Sequence, residues 1–302
     1  MIHKPVLLNE VLGLLNVKPD GVYLDATVGG GGHAYEIAKQ LEDGLLVGLD
    51  WDGQVLKHAR ERLESLKVKI ELIQANFRHL EAVLDRLGIE LVDGVLFDLG
   101  VSSLHLDSPE RGFSFSRDGP LDMRMDREHN RLTAAEVVNT YSRDELIEIL
   151  RQYGEERWAP RIAEAIVQAR QREPLERTLQ LARLVAEAIP AAARRRMRIH
   201  PATRTFQALR IAVNDELENL RLGLEAGFRR LAPGGTIIVL SFHSLEDRIV
   251  KRFFRVKAAK DAYLGERVKE AEVHKLIRPG AEEVAENPRA RSAKLRAARK
   301  VV

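Results

Sequence analysis

Short apolar runs alternate with amphipathic stretches over the first hundred residues. Between the runs, residues 35–41, 53–66 and 78–87 place apolar side chains at helical spacing. The runs themselves have the length and the aliphatic content of buried strands: VYLDAT from Val22, LLVGLD from Leu45, IELIQA from Ile70 and VDGVLFDLG from Val92. This alternation predicts an α/β fold with a parallel, doubly wound sheet.

The pattern changes after Gly100. A loop rich in Ser, Asp, Gly and Pro extends to about Asn130, and helical periodicity then continues to about Pro190. Strand character returns with TIIVLSF at Thr236, directly after APGG, which has the composition of a turn. We therefore expect one α/β domain formed by residues 1–108 and 204–302, with an all-helical insertion at 109–203 that recognises the substrate.

Composition excludes several classes of protein. The chain has 302 residues, 45% of them hydrophobic and 31% charged, which is enough to bury a full core. It contains no cysteine, so disulfides, thiolate metal sites and a cysteine nucleophile are excluded. The first ten residues, MIHKPVLLNE, lack the apolar core of a signal peptide, and no run approaches a membrane span. We expect a cytoplasmic protein without a membrane partner.

The positive charges are unevenly distributed, although the net charge is only +3. Residues 287–302 contain six Lys or Arg and no acid. A second run without acids contains six arginines: Arg194, Arg195, Arg196, Arg198, Arg204 and Arg210. Such runs are more often solvated surface than a binding site, unless another feature indicates a polyanion. Composition alone therefore does not decide for RNA.

A cluster of four glycines follows the first predicted strand, in DATVGGGGHAYEIA from Asp25. Asp50 ends the second predicted strand, and open α/β sheets bind ligands at this edge, where a carboxylate accepts hydrogen bonds from ribose hydroxyls. These features indicate a nucleoside-containing cofactor. The glycine spacing fits a dinucleotide as well as S-adenosylmethionine, because Ala34, three residues after Gly31, is tolerated in the dinucleotide pattern. The loop alone leaves both open.

Further motifs resemble, closely and in order along nearly the whole chain, the RsmH (MraW) family of bacterial rRNA methyltransferases. They are FDLGVSS at Phe97, ERGFSFSRDGPLDMRMD at Glu110, YGEERWAPRIA at Tyr153, HPATRTFQALRI at His200, SFHSLEDRIVKRFF at Ser241 and ENPRARS at Glu286. The resemblance implies a class I, Rossmann-like methyltransferase fold. It also implies methyl transfer from S-adenosylmethionine to the N4 amine of a cytosine in the decoding centre of 16S rRNA, in the small ribosomal subunit.

The resemblance also implies a set of cofactor contacts. One of these contacts, His105, is not the residue that the family usually shows at its position. Carried over by motif, the cofactor-binding residues are Gly31, Gly32, His33, Asp50 for the ribose, Phe77 beside the adenine, Asp98 and His105.

Without a cysteine, methylation of cytosine at C5 is excluded, because that reaction needs a nucleophile that adds to the ring. The exocyclic N4 can react directly if the site orients it and accepts its proton. Amino methyltransferases of DNA carry an (Asp/Asn/Ser)-Pro-Pro-aromatic motif after the fourth strand, where this chain has DLGVSS. Asp98 is the first catalytic candidate, followed by Ser102 and Ser103. Phe113 or Phe115 would replace the missing aromatic residue for base stacking.

A cytosine within folded rRNA must be presented or flipped before it reacts. The helical insertion and the six arginines from Arg194 to Arg210 are therefore the expected RNA-binding surface. Of these arginines, Arg210 could instead form an ion pair with Asp215 or Glu216 on the helix surface.

Smaller features have structural readings. Ser244 is expected to cap a helix after the strand at Thr236, while His243 has an open role. No metal-ligand spacing appears, and Asp122 and Asp126 are read as a hydrogen-bonding device of the loop.

Two other functions stay open. One is a nicotinamide-dependent dehydrogenase using the same glycine loop, and the other is a ribosome-assembly factor that binds cofactor and rRNA without turnover.

Overall fold

The computed structural model describes residues 5–261 and 268–302, without the side chains of Ser103, Lys260, Asp261 and Val268. Two compact units divide the chain. The first, here called the sheet unit, comprises residues up to Gly100 and from 217 onward, and the second, the helical unit, comprises residues 101–216. The sequence placed the insertion at 109–203, so the helical unit is longer at both ends than expected.

The helices and strands follow in chain order. Up to residue 100 they are α1 (Leu8–Leu15), β1 (Val22–Asp25), α2 (Gly32–Ala38), β2 (Leu45–Asp50), α3 (Gly53–Leu63), β3 (Lys69–Gln74), α4 (Leu80–Arg86) and β4 (Val92–Asp98). The next are α5 (Ser103–Asp107), α6 (Ala134–Thr140), α7 (Arg143–Gln152), α8 (Ala159–Arg170), α9 (Thr178–Ala188), α10 (Ala191–Arg194) and α11 (Thr203–Asn214). The last are α12 (Glu216–Arg229), β5 (Leu231–Ser241), α13 (Ser244–Lys257), β6 (Lys260–Asp261), β7 (Val268–Lys269), β8 (Ala271–Val273), α14 (Ala281–Glu286) and β9 (Lys294–Lys300). Among the described residues, none of these helices combines the length and apolarity needed to cross a bilayer.

The sheet unit contains a seven-stranded sheet in the order β3-β2-β1-β4-β5-β9-β8. Strands β1 to β5 are parallel, whereas β9 is antiparallel to both β5 and β8. The parallel, doubly wound sheet predicted from the alternation of apolar runs is confirmed, and so is the α/β fold class. In this register Asp25 lies beside Gly48, and Asp98 lies beside Leu240.

The two faces of the sheet are covered by different helices, as the near-continuous apolar strands require. Because successive side chains of a strand point to opposite faces, neighbouring residues enter different cores. One face packs against α4, α12 and α13 through residues that include Leu24, Val47, Val95, Phe97, Leu84, Leu224 and Phe254. The other packs against α1, α2 and α3 through residues that include Tyr23, Leu46, Leu96, Ile238, Leu15, Ile37 and Ala59.

The basic C-terminal segment, whose role the sequence left open, is a strand. Leu295 of β9 is fully buried, because β9 pairs with β5 inside the sheet. Its cations are also used: Nζ of Lys294 and Nε of Arg296 donate to the two carboxylate oxygens of Asp247 on α13, at 2.8 and 2.7 Å. Burial alone would raise the pKa of Asp247, but the two cations outweigh it and lower that pKa. The charges thus attach α13 to β9.

The APGG segment, expected as a turn, lies within β5, which begins at Leu231 rather than at Thr236. Its turn character is nevertheless visible. Gly234 has φ +81°, and the pairing register with β4 shifts between Val92 and Gly94. A glycine at positive φ is typical of such an irregularity in a strand.

The helical unit is built on α7, which contacts both α8 and α11. The side chain of Ser142 caps α7 and Glu145 closes the capping box, as the Ser-x-x-Glu spacing favours. The carboxamide of Asn214, buried at the end of α11, accepts from the N–H of Met125 at 2.9 Å and donates to the carbonyl of Met123 at 2.7 Å. These contacts explain why α11 belongs to the helical unit, beyond the expected end at residue 203.

Candidate active site

Three carboxylates lie at the carboxyl ends of three adjacent strands of the sheet. Asp25 ends β1, Asp50 ends β2 and Asp98 ends β4. Parallel strands end at the same edge, which is where open α/β sheets bind ligands. Asp25 is only 1% exposed, whereas Asp50 and Asp98 are partly exposed. We call this group the acidic edge.

The glycine loop connects β1 to α2 beside the acidic edge. Gly29 and Gly31 have φ values of +53° and +77°, in the left-handed region that favours glycine. A Cβ on Gly31 would lie 3.3 Å from the Cα of Ala59, so the loop also packs closely on α3. The N–H of Gly29 donates to Oδ2 of Asp50 at 3.0 Å. The loop is therefore fixed to the second strand by the carboxylate expected to bind ribose.

The charges of this site decide between the two cofactor classes that the glycine spacing left open. Dinucleotide sites use the N–H groups of the loop to bind a pyrophosphate. Here Asp50 already accepts the N–H of Gly29, Asp25 ends β1 where the loop begins, and Asp98 ends the neighbouring strand β4. Such a site repels a pyrophosphate and attracts a cation. The geometry argues against a nicotinamide dinucleotide.

His33, the second residue of α2, is buried among these groups, with 5% of its side chain exposed. Its Nε2 lies 2.9 Å from the carbonyl oxygen of Val6, and its Nδ1 lies 3.4 Å from Oδ2 of Asp98. Burial alone would lower the pKa of His33. The hydrogen bond and charge of Asp98, the charge of Asp25 and the Val6 carbonyl outweigh burial and raise it. The acidic edge thus makes the His33 ring easier to protonate than a free imidazole.

Asp25 responds to the same surroundings in a different way. Burial raises its pKa to about 7, and the charges of Asp98 and Asp50 add to that effect. The charge of His33 and the N–H of Thr27, which donates to Oδ1 at 3.1 Å, act in the opposite direction. Asp25 therefore changes its protonation near neutral pH, directly below the site.

Phe77 begins a 3₁₀ turn, Phe77–His79, after β3. Its ring makes an edge-to-face contact with Phe97 at a centroid distance of 5.5 Å. A Cβ on Gly223 would lie 2.6 Å from Cδ2 of Phe77, so α12 approaches the ring closely. Part of this side chain is core, and it is half-buried. Its contact with adenine stays a prediction.

Comparison with known proteins identifies the family. The model of the MraW methylase family matches residues 1–301. The chain belongs to the MraW methylase family. The resemblance read from the motifs is therefore confirmed, and this methylase is an enzyme.

Three curated relatives of the methylase are similar over nearly their full lengths. Each is named ribosomal RNA small subunit methyltransferase H. The protein of Carboxydothermus hydrogenoformans is 52% identical and covers 99% of this chain and 98% of its own. That of Geobacter sulfurreducens is 52% identical, with 99% of each chain covered. That of Symbiobacterium thermophilum is 50% identical and covers 98% of this chain and 95% of its own.

Ser102 and His105, both predicted as site residues, form a helix cap. The hydroxyl of Ser102 accepts from the N–H of His105 at 3.3 Å, and Nδ1 of His105 accepts from the N–H of Ser102 at 3.2 Å. His105 is buried against Phe113, with ring centroids 4.9 Å apart. The expected roles of both residues stay predictions beside this structural one. The side chain of Ser103 lies outside the described part of the chain.

The two candidate stacking aromatics differ in availability. Phe113 is 7% exposed and packs against His105, so little of its ring is accessible. Phe115 is half-buried, with ring centroids 4.6 Å from His200 and 4.7 Å from Phe206. Phe115 is therefore the better candidate for a contact with a base.

The expected RNA-binding arginines fall into two groups. The first four lie in and just after α10 and are exposed: Arg194, Arg195, Arg196 and Arg198. The other two have partners within the helical unit. Arg204 donates to the carbonyl of Glu155 at 3.2 Å. Arg210 donates twice to the carboxylate of Glu216, both at 2.8 Å, with 15% of its side chain exposed. The structure thus concentrates free positive charge in the first group.

The sequence did not predict the hydrogen bonds that hold the loop between β5 and α13. The N-cap of α13 is His243 rather than Ser244, so that expectation is wrong. The buried carboxylate of Glu246 accepts the N–H groups of Phe242 at 2.8 Å and His243 at 3.2 Å. A Ser-x-x-Asp spacing favoured Ser244, but a histidine ring can accept the N–H of N3 equally well, and Nδ1 of His243 does so at 3.4 Å.

The pair Asp122 and Asp126 is a hydrogen-bonding device, as expected. Asp122 accepts from Nε of Arg124 at 2.7 Å, and its other oxygen lies 3.1 Å from Nε of Arg127. Asp126 accepts the N–H of Glu128 at 2.9 Å. These bonds fix the long loop before α6.

Proposed function

We propose that this methylase transfers the methyl group of S-adenosylmethionine to the N4 amine of one cytosine in the decoding centre of 16S rRNA. Its substrate is the small ribosomal subunit in the cytoplasm. The observation that carries the proposal is the end-to-end similarity to proteins named ribosomal RNA small subunit methyltransferase H. The acidic edge supports the cofactor, because a sulfonium and an ammonium are cations.

The residues at the acidic edge fit S-adenosylmethionine by their chemistry. Gly31, at positive φ, and Gly32, the first residue of α2, form the end of the glycine loop beside these carboxylates. Asp50 accepts the backbone N–H groups of Gly29 and Asp52, and as a partly exposed carboxylate at the end of β2 it is of the type that binds ribose hydroxyls. Phe77 follows β3, which neighbours β2 in the sheet, and we assign it to the adenine. When bound, the cofactor supplies an electrophilic methyl group.

The amine needs help from the chain because its lone pair is delocalised into the cytosine ring. Asp98 is the acid at the acidic edge that is suited to orient it and to accept its proton. Correct orientation of two reactants can contribute about 7–11 kcal/mol to a rate, and proton transfer in the transition state about 10²–10⁴-fold. The absence of cysteine from the sequence fits this route, since the N4 reaction needs no thiolate.

The four exposed arginines in and just after α10 support an RNA substrate. Four cations within five residues, without an acid among them, are suited to phosphate contacts. Nearby, Trp158 has the guanidinium groups of Arg157 and Arg161 at 5.3 and 5.9 Å from its ring. Aromatic rings and guanidinium planes are both surfaces on which unpaired RNA bases stack. The helical unit is accordingly proposed as the substrate-recognition domain.

The test is tritium transfer from methyl-labelled S-adenosylmethionine to small subunits that lack the modification, followed by nucleoside analysis. We expect label in N4-methylcytidine at one decoding-centre position. Cofactor binding without label would favour an assembly factor, and absence of cofactor binding would restore the dinucleotide hypothesis. Asp98→Ala should reduce transfer about 100-fold or more. The control Asp85→Ala, which removes an exposed carboxylate on α4, should transfer normally.

A further inference from the structure

His33 has hydrogen-bond acceptors at both of its ring nitrogens. Nε2 lies 2.9 Å from the Val6 carbonyl oxygen, and Nδ1 lies 3.4 Å from Oδ2 of Asp98. A neutral imidazole carries one N–H and can satisfy only one of them, whereas an imidazolium can donate to both. The arrangement therefore favours the protonated ring. It also leaves the ring without a nitrogen for the cofactor, although the resemblance places His33 among the cofactor contacts.

Asp98 is held on several sides at once. Its own N–H donates to Oγ1 of Thr27 at 2.6 Å, and the N–H of Leu99 donates to the carbonyl of Leu240 at 3.0 Å. His33 faces Oδ2. Among the described residues, no hydrogen bond reaches Oδ1, and 29% of the side chain is exposed. One carboxylate oxygen is thus fixed inside the protein, and the other is available to a substrate.

We infer that His33 is a positioning residue which, as a cation between Val6 and Asp98, holds Asp98 so that Oδ1 accepts the proton of the methylated amine. The inference rests on the proposed function. In the step, an N–C bond forms as the S–C bond breaks, and the sulfur keeps the electron pair of the S–C bond. The N4 nitrogen keeps the pair of its N–H bond, and the proton passes to Oδ1. Asp98 then releases the proton to solvent through its exposed side.

The surrounding charges agree with this role. Among the described residues, the charged groups that act on the His33 ring are Asp98 from the end of β4 and Asp25 from the end of β1, and Val6 contributes its neutral carbonyl. Asp50, at the end of β2, acts on Asp25. Burial lowers the pKa of His33, but the charges of Asp98 and Asp25, together with the hydrogen bonds to Asp98 and Val6, outweigh burial and raise it.

The first test observes the ring itself in the whole protein. In ¹⁵N-histidine NMR at pH 7.5, the His33 signal, assigned by its loss in His33→Gln, should show both nitrogens protonated. In Asp98→Asn the same ring should become neutral at this pH, because its charged partner is removed. A His33 ring that is neutral in the wild type at pH 7.5 would overturn the inference.

The second test measures catalysis. His33→Leu keeps the volume but removes both donors, and we expect kcat to fall at least about tenfold while the Kd of S-adenosylhomocysteine stays within about threefold. His33→Gln retains an N–H donor and should recover part of kcat. His58→Leu, at an exposed histidine of α3, is the control.

The two hypotheses fail in distinguishable ways. A kcat of His33→Leu within twofold of the wild type would overturn the inference, as would a loss confined to cofactor binding. Absence of N4-methylcytidine in the wild-type reaction would instead contradict the proposed function. Should His33→Leu not fold, His33→Gln and the NMR measurement still decide.

Discussion

At the scale of single residues, Asp25 makes stability depend on pH. Its folded-state pKa of about 7 lies above the ordinary value of 3.8, so the folded state binds the proton more tightly. The stabilising contribution is therefore fully present below about pH 4 and is lost as pH rises through about 7. Asp25→Asn does not titrate and can still accept the N–H of Thr27. It should gain about 2–3 kcal/mol relative to the wild type between pH 5 and 8, at about 1.4 kcal/mol per pKa unit.

Urea unfolding of both proteins at pH 5, 6.5 and 8 measures this difference. A difference that stays constant over the range would show that Asp25 does not titrate there. A wild type that becomes the more stable protein as pH rises would contradict the sign, because it would require a lowered pKa.

Gly31 allows a second prediction at this scale, with Gly234 as its control. Both residues have positive φ, +77° and +81°, so alanine is strained at either position by about 1 kcal/mol. A Cβ at Gly31 also meets α3 at 3.3 Å, whereas at Gly234 nothing lies within 4 Å. Both variants should lose similar backbone stability, but only Gly31→Ala should weaken S-adenosylhomocysteine binding, by about tenfold or more in calorimetry. If the two variants bound S-adenosylhomocysteine with equal affinity, the geometry of the glycine loop would have no role in cofactor binding.

At the scale of elements, the loop between β5 and α13 depends on Glu246. Its buried carboxylate accepts two backbone N–H groups, and each buried group left unsatisfied costs about 1–3 kcal/mol. Glu246→Ala should destabilise the protein by about 2–4 kcal/mol in urea unfolding. Glu246→Gln, which keeps one acceptor, should lose less. The control Arg255→Ala, on the exposed side of α13, should leave the free energy of unfolding unchanged. If Arg255→Ala lost as much stability as Glu246→Ala, the bonds of Glu246 would not be the cause of the loss.

The elements also show what the sequence can reveal. The parallel strands could be predicted because each is a near-continuous apolar run bounded by helical periodicity. Strand β9 could not, because KLRAARK is rich in charge and its cations face Asp247, which is distant in sequence. The helical unit was recognised by its periodicity, but its end was not, because the attachment of α11 depends on Asn214 and residues about ninety positions earlier.

The site shows the same division. Asp50 and Asp98 were predictable because each ends an apolar strand at the ligand-binding edge. The pairing of His33 with Asp98 was not, since it joins residues from separate βα units and depends on a carbonyl of the N-terminal segment, at Val6. The motif resemblance identified these residues as a set, but only the geometry separates Asp98, which is exposed, from Asp25, which is buried.

At the scale of the whole molecule, the two units are expected to contribute separable functions. The sheet unit carries the acidic edge, which suits a cationic cofactor, while the exposed arginines of α10 belong to the helical unit. Changes to α10 should therefore alter the affinity for rRNA without altering that for the cofactor. Changes to the acidic edge should do the reverse.

The triple variant Arg194→Glu, Arg195→Glu, Arg196→Glu tests this separation. Each phosphate contact that is lost removes counterion release, so binding to the small subunit should weaken and its salt dependence should become shallower, by about 0.7–0.9 in the log–log slope per contact. The Kd of S-adenosylhomocysteine should stay within about twofold. The control Arg172→Glu reverses an exposed charge after α8 in the same unit. An equal change in the log–log salt slope per reversed charge in Arg172→Glu would mean that the effect reflects only net charge. An unchanged slope in the triple variant would show that α10 is not part of the RNA-binding surface.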